Sequence, residues 1–368
     1  MFDLTLSKEQ LLVPLMTVAG TVDKKPAIAI LSHILMTLAD HQLWLTGMDL
    51  EIEITASVPC DSTHPAGQVT VPAKKLLDII RSLDDTAVPT LAFNADTVTI
   101  SAGRSQFKLA TLPAERFPTR EDEVNEVEFT VSRLALMDLL QATHFAVAQQ
   151  DVRLFLGGLL LELNGQTITA VGTDGHRLAV CKLASQSKYT GHRFLVPKKG
   201  VQEILKLLSN IEDDEVVVAG GKRYLKVVAN QYRLRCSLID TRFPCYTTAI
   251  PNAQDKSVVL QRDTLKKALM RIAILANEKS RAVLLHLQAN TLTLIAHNQE
   301  QEEAVETLEA ETTGEDIKIA LNVTYLLDVL NYLNDGLVRL SLSNTDASIL
   351  VESLEKKQYQ YIIMPMRL

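Results

Sequence analysis

The sequence predicts an α+β protein of three similar domains, each built from the order β-α-β-β-β written twice. The first sign is a short polar corner between alternating strands, which occurs around Asp49, Asp174 and Asn298. Asp49 and Asp174 are 125 positions apart, and Asn298 follows 124 positions later. A period of that length is that of a whole domain, whereas solenoid repeats are much shorter. A chain of 368 residues is long enough for three such domains.

A strand followed by a helix opens each repeat. The strands are predicted at residues 2–6, 127–131 and 257–260. Ser7 and Ser132 stand where the first two helices begin, and Asp263 is a plausible cap for the third. Pro14 lies inside the first helix and predicts a kink or an irregular turn there.

A second strand–helix pair follows three hairpin strands in each repeat. Pro72 and Pro197 are 125 positions apart and end similar strands, and proline suits the first turn of a helix. Further hairpin strands complete each repeat, and the last of them is predicted at residues 359–363. The pattern places the domains at residues 1–125, 126–253 and 254–368, with linkers near 119–126 and 251–256.

Composition limits the class of protein. With 47% hydrophobic residues each domain can bury a core, and no apolar run reaches the length of a membrane span. The N-terminus lacks the basic and apolar regions of a signal peptide. Four cysteines without CxxC spacing fit reduced thiols better than disulfides or zinc ligands, so a cytoplasmic location is expected. Taken over the whole chain, the net charge of −7 argues against nucleic acid as a partner. Only the surface that faces the phosphates must be basic, however.

The segment around Asp174 has residue types that could also form a catalytic site. Asp174 and His176 could form an acid–base pair, but no nucleophile or metal-ligand set accompanies them. The favoured interpretation is a turn at Asp174 and Gly175, with His176 and Arg177 lining a surface. We expect no catalytic residues, no metal and no cofactor.

Basic residues recur at equivalent helix starts. The pairs Lys74-Lys75 and Lys198-Lys199 follow the two prolines of the strand–helix steps. Charge alone leaves two interpretations open, namely ordinary solvated helix faces or one shared basic surface. A shared surface would bind phosphates without reading bases, and its binding would weaken with salt.

Several segments together give the chain a resemblance to a known family. They include TGMDLEIEI, TDGHRLAVC, VPKKGVQEIL, DTRFP, AILANEKSRAV and the terminal MPMRL. Over essentially its whole length the chain resembles the bacterial sliding clamp, the beta subunit of DNA polymerase III. The resemblance implies a head-to-tail homodimeric ring of three clamp domains per chain, with helices inside and sheets outside. It also implies a non-catalytic processivity factor that encircles double-stranded DNA and tethers its partners, which raises their effective concentration.

The resemblance assigns roles to particular residues. For DNA binding it implies Lys25, Lys74, Arg81, Gln150, Arg153, Lys198 and Lys199. For a peptide pocket it implies Leu156, Thr173, Gly175, His176, Arg177, Leu178, Pro244, Thr248, Asn322, Tyr325, Ser348, Ile362, Met364, Pro365, Met366 and Arg367. For the dimer interface it implies Phe107 and Leu109 on one chain against Ile274 and Leu275 on the other. The loop at Leu154 and Phe155 matches a position where some relatives carry two tyrosines.

The expected partners follow from the same resemblance. They are primed double-stranded DNA, a second copy of the chain, the polymerase alpha subunit, the delta subunit of the clamp loader, and other polymerases and repair proteins with clamp-binding peptides. No membrane is expected among them. After residue 363 the tail is expected to leave the sheet, because Pro365 cannot donate a ladder hydrogen bond, and to form one wall of the pocket. The alternatives are a non-ring adaptor with the same domains and, more remotely, an enzyme built on the Asp174 segment.

Overall fold

A computed structural model describes most of the chain. The described residues are 2–22, 28–60, 66–94, 96–120, 124–185, 187–251, 255–334 and 336–367. Lys25, the middle of each predicted linker and Leu368 lie outside them.

The three repeats have the predicted order of elements. The first contains β1 Phe2–Thr5, α1 Lys8–Ala19, β2 His33–Ala39, β3 Gln42–Met48, β4 Ile52–Pro59, β5 Gly67–Pro72, α2 Ala73–Ser82, β6 Thr90–Phe93, β7 Thr97–Ala102 and β8 Ser105–Ala110. The second contains β9 Val127–Ser132, α3 Arg133–His144, β10 Gly158–Asn164, β11 Thr167–Thr173, β12 Arg177–Ala184, β13 Thr190–Pro197, α4 Lys198–Ser209, β14 Glu215–Gly220, β15 Tyr224–Ala229 and β16 Tyr232–Ser237. The third contains β17 Lys256–Gln261, α5 Arg262–Ile272, β18 Ala282–Gln288, β19 Thr291–His297, β20 Glu303–Glu309, β21 Glu311–Thr313, β22 Ile317–Asn322, α6 Val323–Tyr332, β23 Leu337–Leu342, β24 Ile349–Ser353 and β25 Tyr359–Ile363. The short strand β21 is an addition that the sequence pattern did not predict.

Two compact units divide the chain, and each contains two antiparallel sheets. The first unit, Met1–Leu134 with Lys199–Leu238, holds the sheets β1-β6-β7-β8 and β5-β2-β3-β4-β16-β15-β14-β9. The second unit, Ala135–Lys198 with Ile239–Leu368, holds β13-β10-β11-β12-β25-β24-β23-β17-β21 and β20-β19-β18-β22. The unit boundary therefore passes through the second repeat.

The larger sheet of each unit joins two repeats edge to edge. In the first unit β4 pairs with β16, so that Ile54 lies opposite Leu234. In the second unit β12 pairs with β25 in the same way, and Leu178 lies opposite Ile362. Each junction joins the third hairpin strand of one repeat to the last strand of the next.

Apolar residues at helical spacing form the core beneath each sheet. Leu11, Leu15 and Val18 of α1 are buried, and so are Leu265 and Leu269 of α5. This packing turns the apolar face of each of these two helices toward the strands, as the 3.6-residue period predicts.

A glycine allows the helix to approach the sheet closely in the first two repeats. A Cβ atom on Gly172 would lie 2.2 Å from the carbonyl oxygen of Thr143, and one on Gly47 would lie 2.7 Å from that of Val18. Both separations are shorter than any van der Waals contact. A glycine therefore stands two positions before Asp49 and two positions before Asp174, because the backbone of a helix passes directly over that position of the strand.

Several helix boundaries differ from the sequence predictions. Gln261 is the N-cap of α5, and Asp263 lies within the first turn instead of capping it. Pro72 is the N-cap of α2 and the last residue of β5, so it precedes the first turn instead of lying in it. The helix α1 runs without interruption through Pro14 and begins with the predicted cap at Ser7, whose side chain and Gln10 form a capping box.

Candidate functional site

An apolar cavity of about 190 Å³ lies in the second unit. Residues of the Asp174 corner, the segment 243–249 and the C-terminal strand converge on it. Its lining is Arg153, Phe155, Leu156, Thr173, Gly175, His176, Arg177, Leu178, Phe243, Pro244, Cys245, Tyr246, Ala249, Ser348, Ile362 and Met364. We call this cavity and its lining the groove.

The floor of the groove continues into the hydrophobic core. Leu178 and Ile362 belong to a buried cluster that also contains Phe243, and Phe155 and Tyr246 pack against it. The rings of Phe155 and Phe243 meet edge to face, with centroids 6.1 Å apart. Met364 is 47% exposed at the rim, where a flexible thioether can adapt to different apolar side chains. The groove therefore suits a short apolar segment.

The predicted turn at Asp174 forms one side of the groove. Its carboxylate accepts hydrogen bonds from the backbone N–H groups of His176 and Arg177, at 2.9 and 3.0 Å. Gly175 has φ +88°, a left-handed conformation that glycine adopts without strain. Within the described ranges, no group of three or more His, Cys, Asp or Glu residues is placed so that it could hold a metal ion.

Arg177 is not the surface residue that the sequence suggested. Its side chain is 12% exposed and pairs with Asp174 at 2.9 Å and with Asp328 at 2.6 Å. It also donates to the carbonyl of Phe145 at 2.9 Å and stacks over the ring of Tyr325 at 4.6 Å. Arg177 therefore holds the turn, the end of α3 and the helix α6 together beneath the groove.

The C-terminal tail forms part of the wall, as predicted, but keeps more backbone pairing than predicted. The N–H of Met364 donates to the carbonyl of His176 at 2.9 Å, and the N–H of Met366 donates to that of Ala320 at 2.8 Å. Pro365 has no backbone N–H, so the only donor it removes is the one between those of Met364 and Met366. The tail thus passes from β12 to β22, and only Met364 of its two methionines lines the groove.

Six predicted pocket residues lie outside the lining. They are Thr248, Asn322, Tyr325, Pro365, Met366 and Arg367. Thr248 bonds the carbonyl of Cys245, and Asn322 caps α6 by accepting from Thr324. Tyr325 acts through Arg177, whose guanidinium covers its ring. These residues support the elements around the groove.

Six lining residues were not among the predicted pocket residues, namely Arg153, which was predicted for DNA, and Phe155, Phe243, Cys245, Tyr246 and Ala249. A signal for Phe243 was present, because the Arg-Phe-Pro motif occurs twice and Phe117, its counterpart, is also buried. Cys245 is exposed, and its pKa is lowered chiefly by a hydrogen bond with the hydroxyl of Thr247.

The residues predicted to bind DNA have different surroundings. Lys74, Arg81 and Gln150 are exposed. Arg153 lines the groove and holds Asp151, whose pKa it lowers to about 2. Lys198 is half-buried and donates to the carbonyl of Val147 at 2.7 Å, and burial lowers its pKa. Lys199 pairs with Asp49, so this lysine pair is already engaged within the chain.

Two of the predicted interface residues lie on an edge strand, and the other two follow a helix. Phe107 and Leu109 lie on β8, the last strand of the first sheet, and both are partly exposed. Ile274 follows α5 and is 78% exposed, and Leu275 beside it is half-buried. Each unit therefore presents apolar side chains that are at least partly exposed.

Among the residues that the structure describes, no helix is long and apolar enough to cross a membrane. Three repeated domains and an apolar groove in the second unit place the chain in the class of tethering or scaffolding proteins. The family models identify which one. They match the N-terminal, central and C-terminal domains of the DNA polymerase III beta subunit at residues 2–121, 130–245 and 247–367.

Full-length relatives agree with these matches. The chain is 40% identical over 365 residues to the beta sliding clamp of Pseudomonas aeruginosa, with 99% of each chain covered. It is equally similar over 364 residues to that of Escherichia coli, again with 99% of each covered. The chain therefore belongs to the DNA polymerase III beta subunit family, the sliding clamps, which are processivity factors and not catalysts.

Solved structures support the same assignment. The crystal structure of the DNA polymerase III subunit beta from Pseudomonas aeruginosa matches with a TM-score of 0.97 and 40% identity over 100% of both chains. A DnaN sliding clamp from the same organism, bound to griselimycin, matches with a TM-score of 0.95, 40% identity and the same coverage. The ring dimer is characteristic of this family, and its members are partners of DNA and polymerase in replication.

Proposed function

We propose that this chain closes head to tail with a second copy around double-stranded DNA, and that its groove binds short apolar peptides of replication proteins. The proposed peptide partners are the polymerase alpha subunit, the delta subunit of the clamp loader, and other polymerases and repair proteins. We place this activity in the cytoplasm and keep the domain boundaries at 1–125, 126–253 and 254–368.

One observation carries the dimer proposal. Two intrachain junctions pair the third hairpin strand of one repeat with the last strand of the next, β4 with β16 and β12 with β25. The third hairpin strand of the third repeat is β20, and the last strand of the first repeat is β8. Neither takes part in such a junction, and each lies at an edge of its sheet. An edge strand with partly exposed apolar side chains is a template for pairing with another chain. Pairing β20 of one copy with β8 of another would repeat the same junction.

The intrachain register predicts the register of this seam. Glu53 lies opposite Arg235 in the β4–β16 junction. In the hairpins, Glu303 of β20 occupies the position of Glu53 in β4, and Lys108 of β8 occupies the position of Arg235 in β16. The same register would therefore place Glu303 opposite Lys108 of the other copy and keep the two charges complementary. Ala304 then faces Phe107, an apolar pair in place of Ile54 and Leu234.

Apolar contacts would reinforce this seam. We propose that Ile274 and Leu275 meet Phe107 and Leu109 there, and burying each side chain would contribute about 1.5–3 kcal/mol. The double variant Ile274→Asp with Leu275→Asp would bury two unpaired carboxylates and should give folded monomers in sedimentation. A dimer that survives these changes would contradict the seam.

A charge exchange tests the register separately. Glu303→Lys alone should weaken the dimer by placing two cations opposite each other, and adding Lys108→Glu should restore it. Glu309→Lys is a matched control, because it lies on the same strand beyond the proposed ion pair. Equal dimer affinity in the single and the double variant would contradict the proposed register.

For DNA, we propose that exposed cations bind backbone phosphates without reading sequence. Lys74 and Arg81 lie on one exposed face of α2, and Gln150 and Arg153 are exposed in the second unit. Lys25 and the pair Lys198 and Lys199 remain proposed contacts, although the latter two must exchange intrachain partners to reach phosphate. Removing one exposed cation should weaken binding equally for all sequences and reduce its salt dependence.

A further inference from the structure

A hydrogen-bonded chain outside the groove reaches one of its walls. Glu162 on β10 lies directly opposite Arg193 on β13, and the guanidinium donates to one carboxylate oxygen of Glu162 at 2.6 and 2.8 Å. The hydroxyl of Tyr246 donates to the other oxygen at 3.0 Å. A pair on the ladder between the edge strand β13 and its neighbour β10 thus anchors the first residue of the segment Tyr246–Ala249.

This segment is a single 3₁₀ turn that contributes directly to the groove. Cys245, Tyr246 and Ala249 all line it. The hydroxyl of Thr248 donates to the carbonyl of Cys245, and the N–H of Ile250 donates to that of Thr247. These short-range bonds shape the turn, and the side chain of Tyr246 ties it to the sheet below.

The first unit contains an equivalent segment, in which Arg120 takes the place of Tyr246 and makes different contacts. Arg120 stands 126 positions before Tyr246, the same offset that separates the two Arg-Phe-Pro motifs. Its guanidinium donates to the hydroxyl of Ser237 and to the carbonyl of Leu50, both at 2.8 Å. Ser237 and Leu50 are the counterparts of the groove residues Met364 and Gly175. Arg120 therefore occupies in the first unit the place that is an open groove in the second.

The ladder beneath explains the difference. The positions equivalent to Glu162 and Arg193 are Thr37 and Gln68, which also lie opposite each other. Neither can offer a carboxylate to the residue above. In the second unit the carboxylate of Glu162 accepts a hydrogen bond from Tyr246 and so holds this side chain to the sheet.

We propose that Glu162 is a positioning residue that keeps the groove open by holding Tyr246 and, through it, the turn of residues 246–249. The inference rests on the proposed peptide binding for its function, but the tether itself is testable without any peptide. Burial and the neighbouring carboxylate raise the pKa of Tyr246 to about 12, so the phenol remains a donor throughout the ordinary pH range.

The first experiment measures the tether in the free protein. Cys245 is the exposed thiol at the start of the turn, so its alkylation rate by iodoacetamide reports the conformation of the turn. Tyr246→Phe and Glu162→Leu should both change this rate, and the double variant should change it no further than either single variant. Glu162→Gln has one acceptor oxygen for the two donors Arg193 and Tyr246, so its rate should lie between those of the unchanged protein and of Glu162→Leu. Tyr189→Phe, which removes a phenol outside the groove lining, is the matched control. Rates that are equal in all variants would overturn the tether.

The second experiment measures the function of the tether. The probe is a fluorescent C-terminal peptide of the polymerase alpha subunit, followed by anisotropy. Tyr246→Phe and Glu162→Leu should each weaken its binding about fivefold to tenfold, the loss expected for one hydrogen bond, and Glu162→Gln should weaken it less than Glu162→Leu. Full affinity in both weakened variants would overturn the positioning role. An unchanged protein that binds no peptide, while the alkylation rates still respond, would refute the proposed function and leave the tether standing.

Discussion

The guanidinium of Arg177 lies 2.6 Å from the carboxylate of Asp328, and this contact joins two clamp domains beneath the groove. Arg177 stands at the start of β12, whereas Asp328 lies on α6, 151 positions later. The same guanidinium holds Asp174, so the turn on one side of the groove depends on a helix from the next domain.

Removing this guanidinium should weaken both stability and peptide binding. We expect Arg177→Ala to lower the free energy of unfolding by about 1–3 kcal/mol, because it leaves two carboxylates without their shared partner. A double-mutant cycle with Asp328→Asn should give a coupling of about 1 kcal/mol in urea unfolding. Lys206→Ala, which breaks an exposed pair with Glu203, is the control and should cost less than about 0.5 kcal/mol. Equal losses in the two variants would contradict a central role for Arg177.

The close approach of helix and sheet at Gly172 gives a second prediction. Its added Cβ would lie 2.2 Å from the carbonyl oxygen of Thr143, which is backbone and cannot rotate away. Gly172→Ala should therefore destabilise the protein by about 1–3 kcal/mol in urea unfolding. Gly157→Ala meets nothing within 4 Å and should be neutral. A neutral Gly172→Ala variant would refute the packing reason for the repeated small residue.

The four cysteines should differ sharply in reactivity. Burial raises the pKa of the Cys181 and Cys236 thiols to about 12, and Cys60 is also buried. Cys245 is exposed with a lowered pKa, so its reactive thiolate should form at lower pH than in a free thiol. The native protein should therefore show one fast thiol, which disappears in Cys245→Ser. A bound peptide should slow its alkylation, and a rate unaffected by saturating peptide would place the binding site elsewhere.

The C-terminal tail can be tested by two changes of different extent. Removing residues 364–368 should abolish peptide binding and processive synthesis together, because it removes a wall and the bonds to His176 and Ala320. Met364→Ala keeps those backbone bonds and should weaken peptide binding only in part. Both variants should remain dimeric, since the proposed seam involves Phe107 and Ile274. Undiminished peptide affinity in the truncated dimer would eliminate the groove as the peptide site.

Sequence periodicity was sufficient for the order of elements but not for their junctions. Asp49, Asp174 and Asn298 recur at nearly constant spacing, and each lies at a hairpin corner as predicted. The pairing of β12 with β25 joins residues from different repeats, and no local pattern specifies such a contact.

The site was only partly predictable for a related physical reason. Groove residues such as Leu178 and Met364 were found through the resemblance, and the structure brings them together. Tyr246 was missed because its proposed role depends on a hydrogen bond to Glu162. The two residues are 84 positions apart in the sequence and meet only in the folded chain. Lys198 illustrates the converse, since its charge suggested phosphate binding while its ammonium donates to a backbone carbonyl.

Retention on DNA of different topology tests the central claim most directly. The clamp is loaded onto nicked circular duplex and then separated from free protein by gel filtration. A ring that encircles DNA should stay on the circle and be lost when the duplex is cut once, because it slides off the new ends. The Ile274→Asp, Leu275→Asp variant should not be retained on either form. Retention that is the same on the circle and on the linear duplex would contradict encirclement.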